Sequence, residues 1–310
     1  MENIIDPISK NALQDELVKP KFIRKTNNGN NEIYVINAHN SPNVMKEIGR
    51  LREVTFRHAG GGTGKSVDID EFDTCAKPYE QLLVWNPEDE EIVGAYRFIL
   101  CKNAEKHGDK IEIATTELFS FSNQFIEKYL PYTIELGRSF IQPKYQPSEQ
   151  FRKGLFSLDN LWDGLGALVV DYPDQKYFFG KVTMYTDFNI EARDLILSFL
   201  KHYFPDNENL VKPHKPVPLQ TDPSDFLKEL SAFNYKEGHA YLNKCVRALG
   251  ENIPPLVNAY MNLSSTMKSF GTAINNTFGE VEETGVMVTI GDIYESKKDR
   301  HVNTYLSEKK

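Results

Sequence analysis

Val44, Ile48, Leu51 and Thr55 recur at helical spacing behind Ser41-Pro42, a cap and first-turn pair, and predict a helix over 42–57. Before it, EIYVINA (32–38) reads as a strand. LLVWN (82–86) and EIVGAYRFIL (91–100) are apolar runs parted by Pro87 and an acidic turn, which predicts a hairpin. A helix over 117–130 leads to a third strand, TIELGRSFI (133–141). Leu158, Leu161, Trp162, Leu165 and Leu168 mark a helix over 157–172 with Ser157 as its cap. YFFGKVTMY (177–185) is a strand and IEARDLILSFLKHYF (190–204) an amphipathic helix. The order is strand, helix, hairpin, helix, strand, helix, strand, helix.

Both ends break this pattern. The first thirty residues are polar, close on NNGNNE, and read as an N-terminal arm (1–30) ahead of a core (31–204). From 205 to 223 prolines suppress regular structure and mark the start of a C-terminal region (205–310). That region holds helical material ending near Gly250, the segment IPPLVNAYMNLSS, and a late strand over 285–293.

Charge and cysteine usage narrow the function. With 36 Lys+Arg against 44 Asp+Glu the net charge is -8, which argues against a partner bound by neutralising phosphates, so no nucleic acid is expected. Cys75, Cys101 and Cys245 are odd in number and lack paired or metal-type spacing, which points to a reduced, cytoplasmic protein with no metal site. MENIIDPISK lacks a basic region followed by an apolar run, and no stretch of eighteen apolar residues occurs, so neither a secretory signal nor a membrane span is expected.

One stretch tempts a nucleotide reading. HAGGGTGKS (58–66) suggests a phosphate-binding loop, but counting back from Gly64-Lys65-Ser66 puts Ala59 where the first glycine belongs. Such a loop also needs a strand before it and a helix after it, whereas this one follows a helix and runs into the acidic VDIDEFD. It reads better as a mobile glycine-rich link, free to close over a substrate.

A second stretch suggests acyl transfer. In a regular strand Glu135 and Ser139 of IELGRSF face one side and Arg138 the other. A bulge at Gly137 would turn Glu135 and Arg138 to the same side and release a backbone N–H, placing a carboxylate beside a donor for a developing oxyanion. An ordinary strand with an exposed Glu and Arg is the alternative. Arg97, inside the apolar run GAYRFIL, would need an anionic partner if buried. Asp70 and Asp73 follow the glycine loop, and Arg52 and Phe56, one helical turn apart, can look into the same space.

An Arg-bearing first helix, Asp70-x-x-Asp73, Gly94 and Arg97 in VGAYR, then ELGRS (135–139) and an LW-containing helix follow in that order. This succession resembles the acyl-carrier-protein-dependent branch of the GNAT acyltransferases, which includes the acyl-homoserine-lactone synthases and, closer, the ornithine-lipid N-acyltransferases. GTGKSVDIDEFD, LLVW, IVGAYR, ELGRSF, NLWDGLG, FFGKVT and the tail segment IPPLVNAYMNL extend the likeness over roughly 32–295. The glycine-rich variant looks most like the relatives labelled hemolysin-like, among them glycine N-acyltransferases of aminolipid synthesis.

The resemblance implies an α+β (α/β) fold of GNAT type: a mixed, mostly antiparallel sheet splayed between the strands at 133–141 and 177–185, flanked by helices, with a C-terminal extension. It implies direct attack of an amine on an acyl thioester and no tightly bound cofactor. Acetyl-CoA-dependent members carry a glycine-rich turn for the CoA pyrophosphate, whereas this chain has QPKYQPSEQFRKGLFS with only Gly154, which suits a donor held by acyl carrier protein, with acyl-CoA as the alternative donor. Lys144, Arg152, Lys153 and Lys181 are the candidate basic patch for that partner, with Phe140 and Ile141 meeting the donor, and scattered solvated lysines are the alternative. The expected reaction joins a long-chain 3-hydroxyacyl group to glycine or ornithine. Glu135 would act as general base or amine anchor, Arg138 and Arg97 would hold a carboxylate or the acidic pair, and Asp70, Asp73, Arg52, Phe56 and Ser139 would line the acceptor site. Transient contact with the inner face of the membrane fits such a product. A lactone-forming synthase and a non-catalytic acyl- or carrier-binding module are the rival readings.

Overall fold

The computed structural model describes residues 1–107, 110–146, 154 and 156–309. Contacts group the chain into two units, residues 1–114, 131–176 and 294–310 in the first and 115–130 and 177–293 in the second.

The first unit is built on five antiparallel strands in the order β1 (Phe22–Lys25), β2 (Glu32–Ile36), β3 (Glu80–Asn86), β4 (Glu91–Leu100) and the strand Thr133–Ile141. Two short strands, β5 (Lys106–His107) and β6 (Lys110–Ile111), pair with each other. In the second unit β7 (Phe119–Phe121) comes earlier in the chain, so the strand Thr133–Ile141 of the first unit is β8. The segment 117–130, expected as one helix, is therefore strand β7 and the short helix α4 (Asn123–Lys128), capped by the Ser122 hydroxyl.

Helix α2 (Pro42–His58) sits on the sheet face that carries Gln81 and Arg97, and α5 (Ser157–Asp171) on the other, where Gly164 packs on Leu82. Pro42 occupies the first turn of α2 as expected, but Ser41 makes no capping hydrogen bond. The Glu16 carboxylate caps instead, accepting from the Asn43 and Val44 N–H groups at 3.1 and 2.9 Å. Glu16 ends α1 (Lys10–Glu16), so the stretch read as an arm contains a helix, buries Leu13 and Leu17, adds β1 to the sheet and completes α2. Ser157 likewise lies inside α5, and its hydroxyl donates to the Tyr145 carbonyl instead of capping.

The second unit has an antiparallel sheet in the order β9 (Tyr177–Met184), β12 (Val281–Thr289), β11 (Lys268–Asn275), and β7 pairs with β10 (Val211–Pro213). Phe125 packs on Phe121 and Phe179, ring centroids 4.9 and 5.3 Å away. Helices α6 (Ile190–Tyr203), α7 (Ser224–Leu230), α8 (Tyr235–Ala248) and α9 (Pro255–Met261) complete it. The chain then returns to the first unit as α10 (Glu295–His301) and α11 (Asn303–Glu308). Among the described residues no helix is long and apolar enough to cross a membrane.

β4 and β8 approach closely because Gly94 has no side chain. A Cβ there would lie 2.3 Å from the Phe140 carbonyl oxygen, so Gly94→Ala is expected to cost on the order of 2–3 kcal/mol, seen as a lower denaturant midpoint.

Candidate functional site

Register places a polar row in an apolar sheet. Gln81 of β3 pairs with Arg97 of β4, which pairs with Gly137 of β8, so the three stand side by side on one face. Gly137 leaves room for the guanidinium: even a Cβ there would be 4.0 Å from Arg97 Nε. Arg52 comes down from α2, and helix α3 (Glu71–Thr74) brings acids to meet both arginines.

The acidic VDIDEFD forms α3 because Asp70 and Asp73 make a reciprocal capping box: the Asp70 carboxylate accepts from the Asp73 N–H and Asp73 from the Asp70 N–H. Their remaining lone pairs face arginine. Asp73 accepts from Arg52 at 2.9 Å, Gln81 at 2.9 Å and Arg97 at 3.3 Å. Arg97 donates to both oxygens of Asp70 at 2.6 and 2.7 Å, and lies 5.0 Å from the Tyr79 ring centroid. Arg52 also reaches Gln81 at 2.7 Å and the Asp68 carbonyl at 3.1 Å. The partner that burial demands for Arg97 is thus a shared pair of carboxylates.

Burial alone would raise the Asp73 carboxyl, but the charges of Arg52 and Arg97 prevail and hold it well below the usual carboxylate range. Burial likewise works against the Arg97 cation, and Asp73 and Asp70 more than compensate, so it stays protonated.

β8 does bulge, at a different residue. Ala95 pairs with Phe140 and Arg97 with Gly137, so Arg138 and Ser139 together oppose Tyr96. The left-handed residue is Arg138 itself, at φ 47°, an unusual conformation for a side chain other than glycine. Its guanidinium holds Asp68 at 2.9 Å and lies 3.7 Å from Asp70. Arg138 and Arg97 therefore converge on Asp70.

Glu135 pairs with Ile99 two positions along, on the same face as Arg97. It is 2% exposed and accepts a hydrogen bond from the Tyr79 hydroxyl, which in turn accepts from the Ala114 N–H at 3.0 Å. Phe56 and Phe140 meet edge to face in the core, centroids 6.3 Å apart, while Ser139 and Ile141 are half-buried. Arg52, Asp73 and Arg97 are at most 3% exposed, so the solvent-facing part of the network is Asp70 with 28% and Arg138 with 15% of their side chains accessible.

The sequence reading missed Asp68, Tyr79 and Gln81. A buried glutamine in a strand could have been suspected from its place directly before LLVWN, but the other two carry no pattern of their own. Of the basic patch, Lys144 is paired with Glu91 at 2.7 Å and, in the second unit, Lys181 with Glu283 at 3.0 Å. Arg152 and Lys153 lie outside the described residues.

The glycine loop is stitched down. Gly60, Gly62 and Gly64 adopt φ of 92°, 94° and 76°, and the chain turns around the protein's own Glu53 carboxylate, which accepts from the Thr63 N–H at 2.8 Å and Arg57 at 2.6 Å. Glu2 N–H donates to the Gly64 carbonyl at 2.8 Å, and the Ser66 N–H to the Glu2 carboxylate at 2.8 Å. The loop leaves the C-terminal, negative end of α2, the wrong polarity for a phosphate, and these bonds fix it where a free link was expected.

Residues 51–153 match the family model described as an acetyltransferase (GNAT) domain. The chain is similar to the glycine N(alpha)-acyltransferase of Phocaeicola vulgatus, 54% identical over 311 residues that take in 99% of this chain and 95% of that protein. It is also similar to the protein of the same name from Bacteroides thetaiotaomicron, 54% identical over 308 residues, 99% of this chain and 91% of that one. No solved structure matches.

Proposed function

The chain belongs to the GNAT N-acyltransferases, and from that premise we propose that it moves a long-chain 3-hydroxyacyl group from acyl carrier protein to the amine of glycine. The observation that carries this reading is the Asp70–Arg138 pair, accessible at the edge of an otherwise buried and charge-balanced network. An acid and a guanidinium 3.7 Å apart match the two charges of a small zwitterion, with the ammonium toward Asp70 and the carboxylate toward Arg138. Arg97, held by Asp70 and Asp73, and Arg52, held by Asp73, support the pair from beneath.

In the proposed reaction Glu135 takes a proton from the ammonium, directly or through water. The freed nitrogen attacks the thioester carbonyl carbon, and a backbone N–H of the 138–139 bulge receives the oxyanion. As the C–N bond completes the C–S bond breaks, and the second amine proton passes to the departing thiolate to give the amide and the free thiol. The carrier-protein donor is supported by the single glycine in QPKYQPSEQFRKGLFS, a poor cradle for the CoA pyrophosphate. The glycine acceptor is supported by the names of the two relatives.

The test is transfer by purified protein from 3-hydroxyacyl carrier protein, read by mass spectrometry with glycine and ornithine in competition. N-acylglycine with a free carboxylate is expected. N-acylornithine would overturn the acceptor, transfer from acyl-CoA at equal efficiency the donor, and a lactone or no product the reaction.

A further inference from the structure

Tyr79 lies directly before β3, is 2% exposed, and has its ring packed between Phe72 at 5.6 Å and the Arg97 guanidinium at 5.0 Å. Its hydroxyl is committed in one direction. The Ala114 N–H can only donate, so at 3.0 Å the phenolic oxygen must accept there and turn its own proton to Glu135 Oε2. A donor fixed on a carboxylate oxygen favours the ionised carboxylate over the acid. Burial, reinforced by the Glu135 charge, holds the Tyr79 hydroxyl well above the ordinary tyrosine range, so it remains a donor throughout a working pH range.

The geometry points to Tyr79 as a positioning residue for the acyl transfer: its proton, turned to Oε2, fixes the orientation of the Glu135 carboxylate and favours its charged form. This rests on the reading of Glu135 as proton acceptor. The charged and titratable groups around the pair are Arg97 from β4, the buried Cys101 thiol just after β4, Asp70 and Asp73 of the α3 cap and first turn, which bear on it through Arg97, and Arg52 of α2 behind them. All of them are kept when only the phenolic oxygen is removed.

The experiment measures single-turnover transfer to saturating glycine against pH for the full-length wild type, Tyr79→Phe and Glu135→Gln. Loss of the donor removes a hydrogen bond that favours the charged carboxylate, so the acidic limb of the Tyr79→Phe profile is expected to move up by about one pH unit. Below the limb the variant would be about tenfold slower than wild type, and at alkaline pH the two would converge. A purely structural tyrosine would scale the rate equally at every pH, and that outcome overturns the proposal. Replacing Tyr79 by 3,5-difluorotyrosine keeps the shape and strengthens the donor, and should move the limb downward, which retains the test if the phenylalanine variant fails to fold. Full activity in Glu135→Gln would remove the underlying reading. An impaired Glu135→Gln beside an unmoved limb in both Tyr79 variants would remove the role of Tyr79 alone.

Discussion

Asp73→Ala is expected to lower the melting temperature by on the order of 10 °C, the largest loss of stability from any single change at the site. The carboxylate is fully buried and accepts from Arg52, Gln81, Arg97 and the Asp70 N–H. Truncation leaves Arg52 buried with no carboxylate of its own, since its other acceptors are Gln81 and the Asp68 carbonyl. Removing one partner of a buried pair typically costs about 3–5 kcal/mol, and in a chain of this size each kcal/mol shifts the melting point by roughly 2–4 °C. Because most of this cost is the orphaned charge, Asp73→Leu combined with Arg52→Met is expected to recover part of it. A double variant no more stable than Asp73→Ala would show that packing, not charge, sets the penalty.

The same residue fixes the sign of a pH effect. The Asp73 carboxyl titrates lower in the folded protein than in the unfolded chain, so its contribution is fully present above the ordinary value of 3.8. It is lost progressively as pH falls below that value toward the depressed folded one. Denaturant midpoints of wild type and Asp73→Ala should therefore differ most near neutrality and converge only under strongly acid conditions.

What the sequence revealed and what it hid divide along physical lines. β3, β4, β8 and helices α2, α5 and α6 were legible because each is long and has a face or run of apolar residues with a clear period. β7, β10 and β11 were not, since two are three residues long and β11 breaks its alternation with a left-handed Gly271. Arg97 announced its need for an anion by standing in an apolar run, but Tyr79 and Asp68 join the network only through a partner far along the chain. The misplaced bulge is the most instructive difference. Local rules assign a left-handed position to glycine, and Gly137 was available. Instead the ion pairs from Asp68 and Asp70 to Arg138 offset a conformational cost of about 1–2 kcal/mol, which a tertiary interaction can do and a sequence window cannot show.

Glu135→Gln is expected to slow single-turnover acyl transfer by roughly 10²–10⁴-fold while leaving the fold intact. Glutamine is isosteric, and its carbonyl oxygen can still accept from the Tyr79 hydroxyl, so the hydrogen-bond chain from Ala114 persists. The buried site also loses a charge, which removes desolvation cost, so the thermal midpoint should be unchanged or slightly higher. Two roles for the carboxylate then make different forecasts. If Glu135 removes the proton, raising the pH toward and beyond the pKa of the free amine supplies glycine already deprotonated, and the deficit of the variant shrinks. If Glu135 only holds the ammonium in place, the deficit appears as weaker glycine binding while the amine is charged, with little change in the rate at saturating glycine. Rate and glycine affinity followed together across that pH range separate the two, and a variant as fast as wild type at neutral pH would remove Glu135 from the mechanism.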